Sequence, residues 1–408
     1  MSNEEKAPLM PRLRFPEFRE AGEWKFTPLN QLAVRDKKKN RDEKIERVLT
    51  NSAEFGVLDQ RDYFDKDIAT QGRLEGYFVV ELGDYVYNPR ISATAPVGPI
   101  SKNNIGLGVM SPLYTVFRFK DPGNDFYQHY FKTTGWHAYM RQASSTGARH
   151  DRMAIGSDDF MAMPLPISPP HEQQKVGDCL SSLDDLIAAQ ARKVDALKTH
   201  KQGLMQQLFP HEGETQPMVR FPEFKASKPW KSQMLASVAE NLDNRRVPIT
   251  SSDRQPGEVP YYGASGIVDH VSGYIFDEDL LCISEDGANL VARTYPIAFP
   301  VAGKTWVNNH AHVLRFAHTC TQKFVEVYLN AIKLDDFITG MAQPKLNKAM
   351  LESIPIPYPD IPEQKRIADC LGSLDDRITT ATQELEVLKT HKKGLMQQLF
   401  PSVEALDA

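Results

Sequence analysis

The sequence predicts an α+β chain: two globular bodies separated by two long antiparallel coiled-coil helices, with an internal pseudo-two-fold repeat. Three observations predict it. RFPEF stands at 14–18 and again at 220–224, each copy followed by a Trp-Lys pair, Trp24-Lys25 and Trp230-Lys231. CLSSLDDLIAAQARKVDALKTHKQGLMQQLFP at 179–210 aligns without a gap to CLGSLDDRITTATQELEVLKTHKKGLMQQLFP at 370–401. Between these shared blocks the two halves look unrelated, and each mixes strand-like runs with turns. The offset falls from 206 (220 − 14) to 191 (370 − 179), so the first body is the longer by 15 residues (206 − 191). That period lies far above those of solenoid repeats, which marks a duplicated two-part unit.

The opening motif of each half leads into a variable body. In the first, GYFVVELGDYVYNPR (76–90) alternates apolar and polar residues around a Gly-Asp turn, and LYTVFRF (113–119) reads as a buried strand. In the second, GYIFDEDLLCISEDG (273–287) and WVNNHAHVLRF (306–316) do the same. Short helical patterns follow near 126–141 and 321–339.

The shared C-terminal block reads as a long helix. The 3-4 spacing picks out Leu180, Leu183, Ile187, Val194, Leu197, Leu204 and Leu208 in the first copy. It picks out Leu371, Leu374, Ile378, Leu385, Leu388, Leu395 and Leu399 in the second. A Pro-rich stretch precedes each helix and a Phe-Pro pair closes it (Phe209-Pro210, Phe400-Pro401). At about 1.5 Å per residue these are rods of roughly 50–55 Å. An apolar stripe of that length needs a partner: either each helix packs on its own half, or the two pair antiparallel as a spacer. Stripes of equal length favour pairing. Lys201 and Lys392 fall in the seam at the same step and are expected to reach its edge. The boundaries are a first body at 1–165, a helix at 166–210, a linker at 211–219, a second body at 220–357, a helix at 358–401 and a tail at 402–408.

Composition bounds the function. Hydrophobic residues at 41% and charged residues at 25% give the balance of a soluble globular protein. No apolar run is long enough to span a bilayer, and MSNEEKAPLMPRLRF lacks the apolar stretch of a secretory signal, so a cytoplasmic location without membrane contact is expected. Four cysteines without a CxxC pair argue against a disulfide scaffold and a structural zinc site. Forty-eight basic against 53 acidic side chains give a net charge of −5, so any nucleic-acid surface must be a local basic face.

Motifs that tempt an enzymatic reading fail one by one. Pro359-Asp360 followed by Glu363-Gln364-Lys365 resembles a nuclease centre, but the two acids are too close, and Glu363 suits a helix N-terminus. His310-Ala311-His312 on a strand would put two imidazoles on one face, yet no third metal ligand has recognisable spacing. Walker A, amino-methyltransferase and nucleophile-elbow motifs are absent, so no catalytic residue, metal or cofactor is assigned to this chain. What remains is recognition. Polar loops of the first body carry Lys37, Lys38, Lys39, Arg90, Ser92, Arg149 and Arg152; those of the second carry Arg245, Arg246, Arg254, Arg293, Lys304, Asn308, Asn309 and His310. These are the side chains that phosphates and major-groove base edges require.

Taken together, these motifs resemble the specificity subunit of a type I restriction–modification enzyme. The resemblance is carried by RFPEF with Trp-Lys in each half, GDYVYNPR and GLGVMSPLYTVFRF in the first body, and PYYGASGIVDHVSGYIFDEDLLCISEDGANLVARTYPIAF, KTWVNNHAHVLRF and GMAQPKLNKAMLESIPIP in the second. The paired EQKRIADCLGSLDD…GLMQQLF helices complete it. It implies two target-recognition domains, each reading one half of an asymmetric bipartite site in double-stranded DNA, with spacer helices setting the gap. It implies docking of two modification (methyltransferase) subunits and, through them, two restriction (motor and nuclease) subunits. S-adenosylmethionine, ATP and Mg2+ would then belong to the assembled complex and not to this chain. Two alternatives are a coiled-coil protein-interaction adaptor and the specificity subunit of a related, smaller methylation–cleavage system.

Overall fold

The computed structural model describes residues 9–63, 74–144, 151–211, 214–340 and 343–401. The chain divides into two compact units, Met1–Gln190 with Glu384–Ala408 and Ala191–Gln383. The bodies are mixed α and β. Among the described residues no helix is long and apolar enough to cross a membrane.

The first unit opens with β1 (Lys25–Pro28) and β2 (Ala33–Asp36), then the hairpin β3 (Leu49–Ser52) and β4 (Gly56–Asp59). It continues through β5 (Phe78–Val80), β6 (Tyr85–Tyr87), β7 (Ile100–Lys102), β8 (Gly108–Met110) and β9 (Thr115–Phe119) to β10 (Pro164–Ile167). The central sheet has the order β2-β9-β6-β7, all neighbours antiparallel. β6 is buried on both faces, Tyr85-Val86-Tyr87 being at most 1% exposed, which is why it reads as continuously apolar instead of alternating. The Gly-Asp turn before it joins strands of different sheets, since β5 pairs with β8. Gly83 takes φ +89°, and buried Asp84 receives the Glu81 N–H at 2.7 Å and a two-pronged Arg118 contact at 2.6 and 3.0 Å. Tyr85, Phe117, Phe119, Phe126 and Trp136 centre a core that also takes Val176, Leu180 and Leu399 from the two long helices and Phe400 from just beyond the second.

The second unit runs β11 (Lys231–Met234), β12 (Ala239–Asn241), β13 (Pro256–Gly263), β14 (Gly266–Val271), β15 (Phe276–Asp277) and β16 (Leu280–Ser284). It continues with β17 (Ala298–Val301), β18 (Lys304–Val307), β19 (Ala311–Phe316) and β20 (Pro355–Tyr358). Its central sheet, β12-β19-β16-β17, has the strand order of the first unit: first, last, second, third. Bodies without visible sequence similarity therefore share the strand order of their central sheets. A further sheet, β14-β13-β18-β15, carries the hairpin loops.

In each unit the strand after the opening motif pairs with the strand before the long helix, Lys25↔Ile167 and Lys231↔Tyr358. The long helices span Pro170–Leu208 and Ile361–Leu399. They start later than the expected 166 and 358, because PLPI and PIPY stay extended as β10 and β20. A proline drives the residue before it out of the α region, and Pro169 and Pro359 hold off the helix until Pro170 and Ile361.

Candidate nucleic-acid interface

Each opening motif is clamped to the start of the long helix in its own unit. Arg14 donates two hydrogen bonds to Glu172, at 2.6 and 2.7 Å, and the Trp24 indole donates to the same carboxylate at 3.1 Å. Arg220, Glu363 and Trp230 repeat the arrangement at 2.8, 2.6 and 3.1 Å. Both carboxylates are buried, and each guanidinium also donates to loop carbonyls. The carboxylate partner raises the pKa of Arg14 and of Arg220 further, so both stay charged. Removing one partner of such a buried pair costs about 3–5 kcal/mol. Glu363 thus has a specific partner beyond the helix dipole. The signal was in the sequence: Arg, Trp and Glu are the parts of the opening motif and helix start that both halves keep.

The stripe residues face inward. Leu180, Val194, Leu208, Leu371, Leu374, Leu385 and Leu399 are buried, and Leu183, Ile187, Leu197, Leu204, Ile378, Leu388 and Leu395 are half-buried. Off the stripe, Leu186 and Val387 are exposed. In the first unit Asp184 meets Lys392 and Gln190 meets Glu384, so one helix rises in number as the other falls. In the second unit Lys201 meets Asp375 at 2.5 Å. The seam lysines therefore do not end at the edge in solvent as expected: each is held across the helix pair by the first Asp of the other helix's SLDD. Burial lowers the pKa of Lys392, and the nearby Lys132 charge adds to it against the pull of Asp184.

Several of the remaining candidates lie at one end of each central sheet. In the first, Asp36 faces Val116, and Tyr87 faces both Thr115 and Ile100, so the loops after β2 and β6 emerge together. Lys37, Lys38 and Lys39 follow β2, all exposed; Lys38 reaches Glu81 at 3.3 Å. Arg90 and Ser92 follow β6. Arg90 is exposed and lies opposite Arg152 in a backbone bridge, while Arg152 contacts Asp151 at 3.4 Å. Ser92 shapes its turn by accepting the Ala95 N–H at 3.1 Å. Arg149 lies outside the described residues.

In the second sheet Asn241 faces Leu314 and Ser284 faces Ala311, which puts the loops after β12 and before β19 at the equivalent end. Arg245 projects there, over the Phe276 ring and paired with Glu278 at 3.1 Å. Asn309 is exposed, and His310 Nδ1 lies 2.7 Å from Asp286. Asn308 is buried and orders this turn by accepting the His310 N–H at 2.8 Å. On the hairpin sheet, Lys304 lies over Tyr274, and Arg254 lies over Tyr261 with Asp269 at 3.0 Å.

Two arginines are corrected. Arg293, in the left-handed region at φ 51°, donates to the carbonyls of Leu290, Leu329 and Ile332. The last two are at the C-terminus of helix Thr319–Ala331, so Arg293 is a helix-capping residue and not a solvent-facing one. Arg246 points inward, donating to Glu285 at 2.6 Å and the Ala311 carbonyl at 2.8 Å. The two histidines also part: His310 sits in the turn, while His312 is buried between Asp243 at 2.6 Å and the Leu346 carbonyl at 2.7 Å. Asp243, Glu285 and His312 lie within metal-ligand distance of one another, but Arg246 already places its own cation against both carboxylates. Burial pushes the Asp243 carboxyl up, and the His312 hydrogen bond, with the charges around it, brings it below its ordinary range.

Residues 227–390 match the family model described as type I restriction modification DNA specificity domain. A Haemophilus influenzae protein named as a type I restriction enzyme specificity subunit is 38% identical over 155 residues, which cover 38% of each chain. The type I restriction enzyme MjaVIII specificity subunit of Methanocaldococcus jannaschii is 24% identical over 294 residues, 64% of this chain and 65% of that one. The aligned segments thus span less than two thirds of these relatives. The crystal structure of a type I restriction-modification S subunit from M. genitalium superposes with a TM-score of 0.64 at 14% identity, over 97% of this chain and all of that one. At that identity the likeness is one of fold.

Proposed function

From its resemblance to type I restriction–modification specificity subunits, we propose that this chain chooses the DNA sequence on which a multisubunit methyltransferase and endonuclease acts. Each body reads one half of an asymmetric bipartite site in double-stranded DNA. The repeated helices, acting as a coiled-coil spacer, set the gap and dock two adenine-methyltransferase subunits, and through them the ATP-dependent restriction subunits. The chain performs no catalysis; S-adenosylmethionine, ATP and Mg2+ serve its partners in the cytoplasm.

One observation carries this reading: each unit divides into a part that repeats and a part that does not. The basic and polar loops leave one end of each central sheet, Lys37–Lys39 after β2 and Arg245 after β12. The repeated residues Arg14 and Trp24, and Arg220 and Trp230, precede β2 and β12 in the chain and bind Glu172 and Glu363 at the starts of the long helices. What differs between the halves supports reading two different half-sites; what repeats supports docking identical partners.

The test is DNA binding by the assembled complex across a salt series. Replacing Lys37, Lys38 and Lys39 by Ala is expected to weaken all sequences alike and to flatten the log–log salt slope by roughly one to three, since each lost phosphate contact removes about 0.9. An unchanged slope would remove this loop from the interface.

A further inference from the structure

The two long helices end beside grooves that share an apolar wall and differ in charge. In the first unit a groove of about 850 Å3 is lined by five basic side chains, Arg12, Lys132, Lys389, Lys392 and Lys393, against one carboxylate, Asp184. Ile187, Met396 and Phe400 form its apolar part. In the second unit a groove of about 660 Å3 has Met205 and Phe209 where the first has Met396 and Phe400, at the repeat offset of 191 (396 − 205). Its charged lining is Lys231 and Lys333 against Glu214, Asp335 and Asp336. The aromatic anchors match: Phe400 packs 5.1 Å from Phe126, and Phe209 packs 5.3 Å from Phe324.

The difference arises partly at repeated positions. Lys393 becomes Gln202 (393 − 191), and Arg12 becomes Met218 (12 + 206). In the first groove Asp184 is already engaged by Lys392, with Lys132 at 3.7 Å. Lys389 contacts Glu386 on its own helix, and Arg12 and Lys393 are exposed without an acidic partner among the described residues. Unneutralised positive charge is thus concentrated beside an apolar floor, an arrangement that favours a ligand with both carboxylates and an apolar side chain. A phosphodiester backbone would leave that floor unused.

We propose that the first groove seats an acidic segment of a protein partner, its carboxylates on Arg12, Lys132, Lys389 and Lys393 and an apolar side chain against Ile187, Met396 and Phe400. This rests on the docking reading above and identifies the partner as one copy of the modification subunit. The second groove receives the same apolar side chain without the charge. The two docking positions are therefore unequal: one is salt-sensitive and the other is not.

The test is native mass spectrometry and sedimentation of the full chain with the modification subunit over a salt series. Wild type is expected to hold two copies at low salt and to lose one as salt rises. The exposed double substitution Lys389→Glu/Lys393→Glu is expected to weaken one position at least about tenfold, leaving a one-to-one complex at low salt. Lys393→Gln, which copies the residue at Gln202, should fall between, and Lys333→Glu in the second unit should leave the salt-sensitive position intact. Two copies bound by the double variant with unchanged salt dependence would overturn the proposal. So would intact partner binding with weakened retention of a short duplex lacking any specific site, which would make the groove a phosphate surface. A wild-type chain that binds no modification subunit would overturn the docking reading itself, a result distinct from either.

Discussion

His129 shows how far a single side chain is set by its surroundings. It is fully buried, with Nε2 3.0 Å from Ser181 Oγ and Nδ1 facing Asp184 at 3.7 Å without a hydrogen bond. Burial, helped by the charges of Lys392 and Lys132, lowers its pKa from 6.5 to about 4. The folded ring is therefore neutral where the unfolded ring takes a proton, so the unfolded state binds more protons between pH 4 and 6.5. Stability of the first unit should be level above pH 6.5 and fall as pH drops through that window, by on the order of 1–3 kcal/mol. Urea midpoints across pH check this, and His129→Gln should flatten the profile; a profile identical to wild type would contradict the assignment. At this scale the sequence disclosed residue type but not commitment. Arg245, Arg246 and Arg293 read alike as loop cations, yet their partners Glu278, Glu285 and Leu329 lie 33, 39 and 36 residues away. Such pairings follow from tertiary contact, which no local pattern records.

The long helices were the most legible elements, because a 3-4 stripe repeated in two copies is a strong periodic signal and proline marks both ends. Leu180 and Leu371, first in each stripe, are fully buried. The ends of the sheets were less legible. The prolines of PLPI and PIPY suggested a lead-in to the helix, and they sit instead in strands paired with β1 and β11, where a missing N–H is tolerated at an edge. The shared order of the central sheets was not visible at all, since Tyr85-Val86-Tyr87 and Leu280–Ser284 fill equivalent strands with different apolar residues. Lys201 and Asp375 give the element-scale test. Asp375→Lys should lower the urea midpoint of the second unit, and adding Lys201→Asp should restore most of the loss, with a coupling of about 1 kcal/mol. Additive effects would mean that the pair contributes nothing to holding the helices together.

For the whole molecule, duplication with divergence is the central feature: one sheet order and one helix clamp are kept twice, while the loops after β2 and β12 are not. If each body reads its own half-site, recognition is modular. The most direct measurement is to co-express the chain with the modification subunit proposed as its partner in a methylation-free host and map N6-methyladenine by long-read sequencing, for wild type and for a chain with residues 27–163 exchanged for another first body. The wild type is predicted to methylate one asymmetric, gapped motif, and the exchange to alter one half of that motif and leave the other half unchanged. Absence of methylation despite a stable complex, or alteration of both halves by the exchange, would contradict the account.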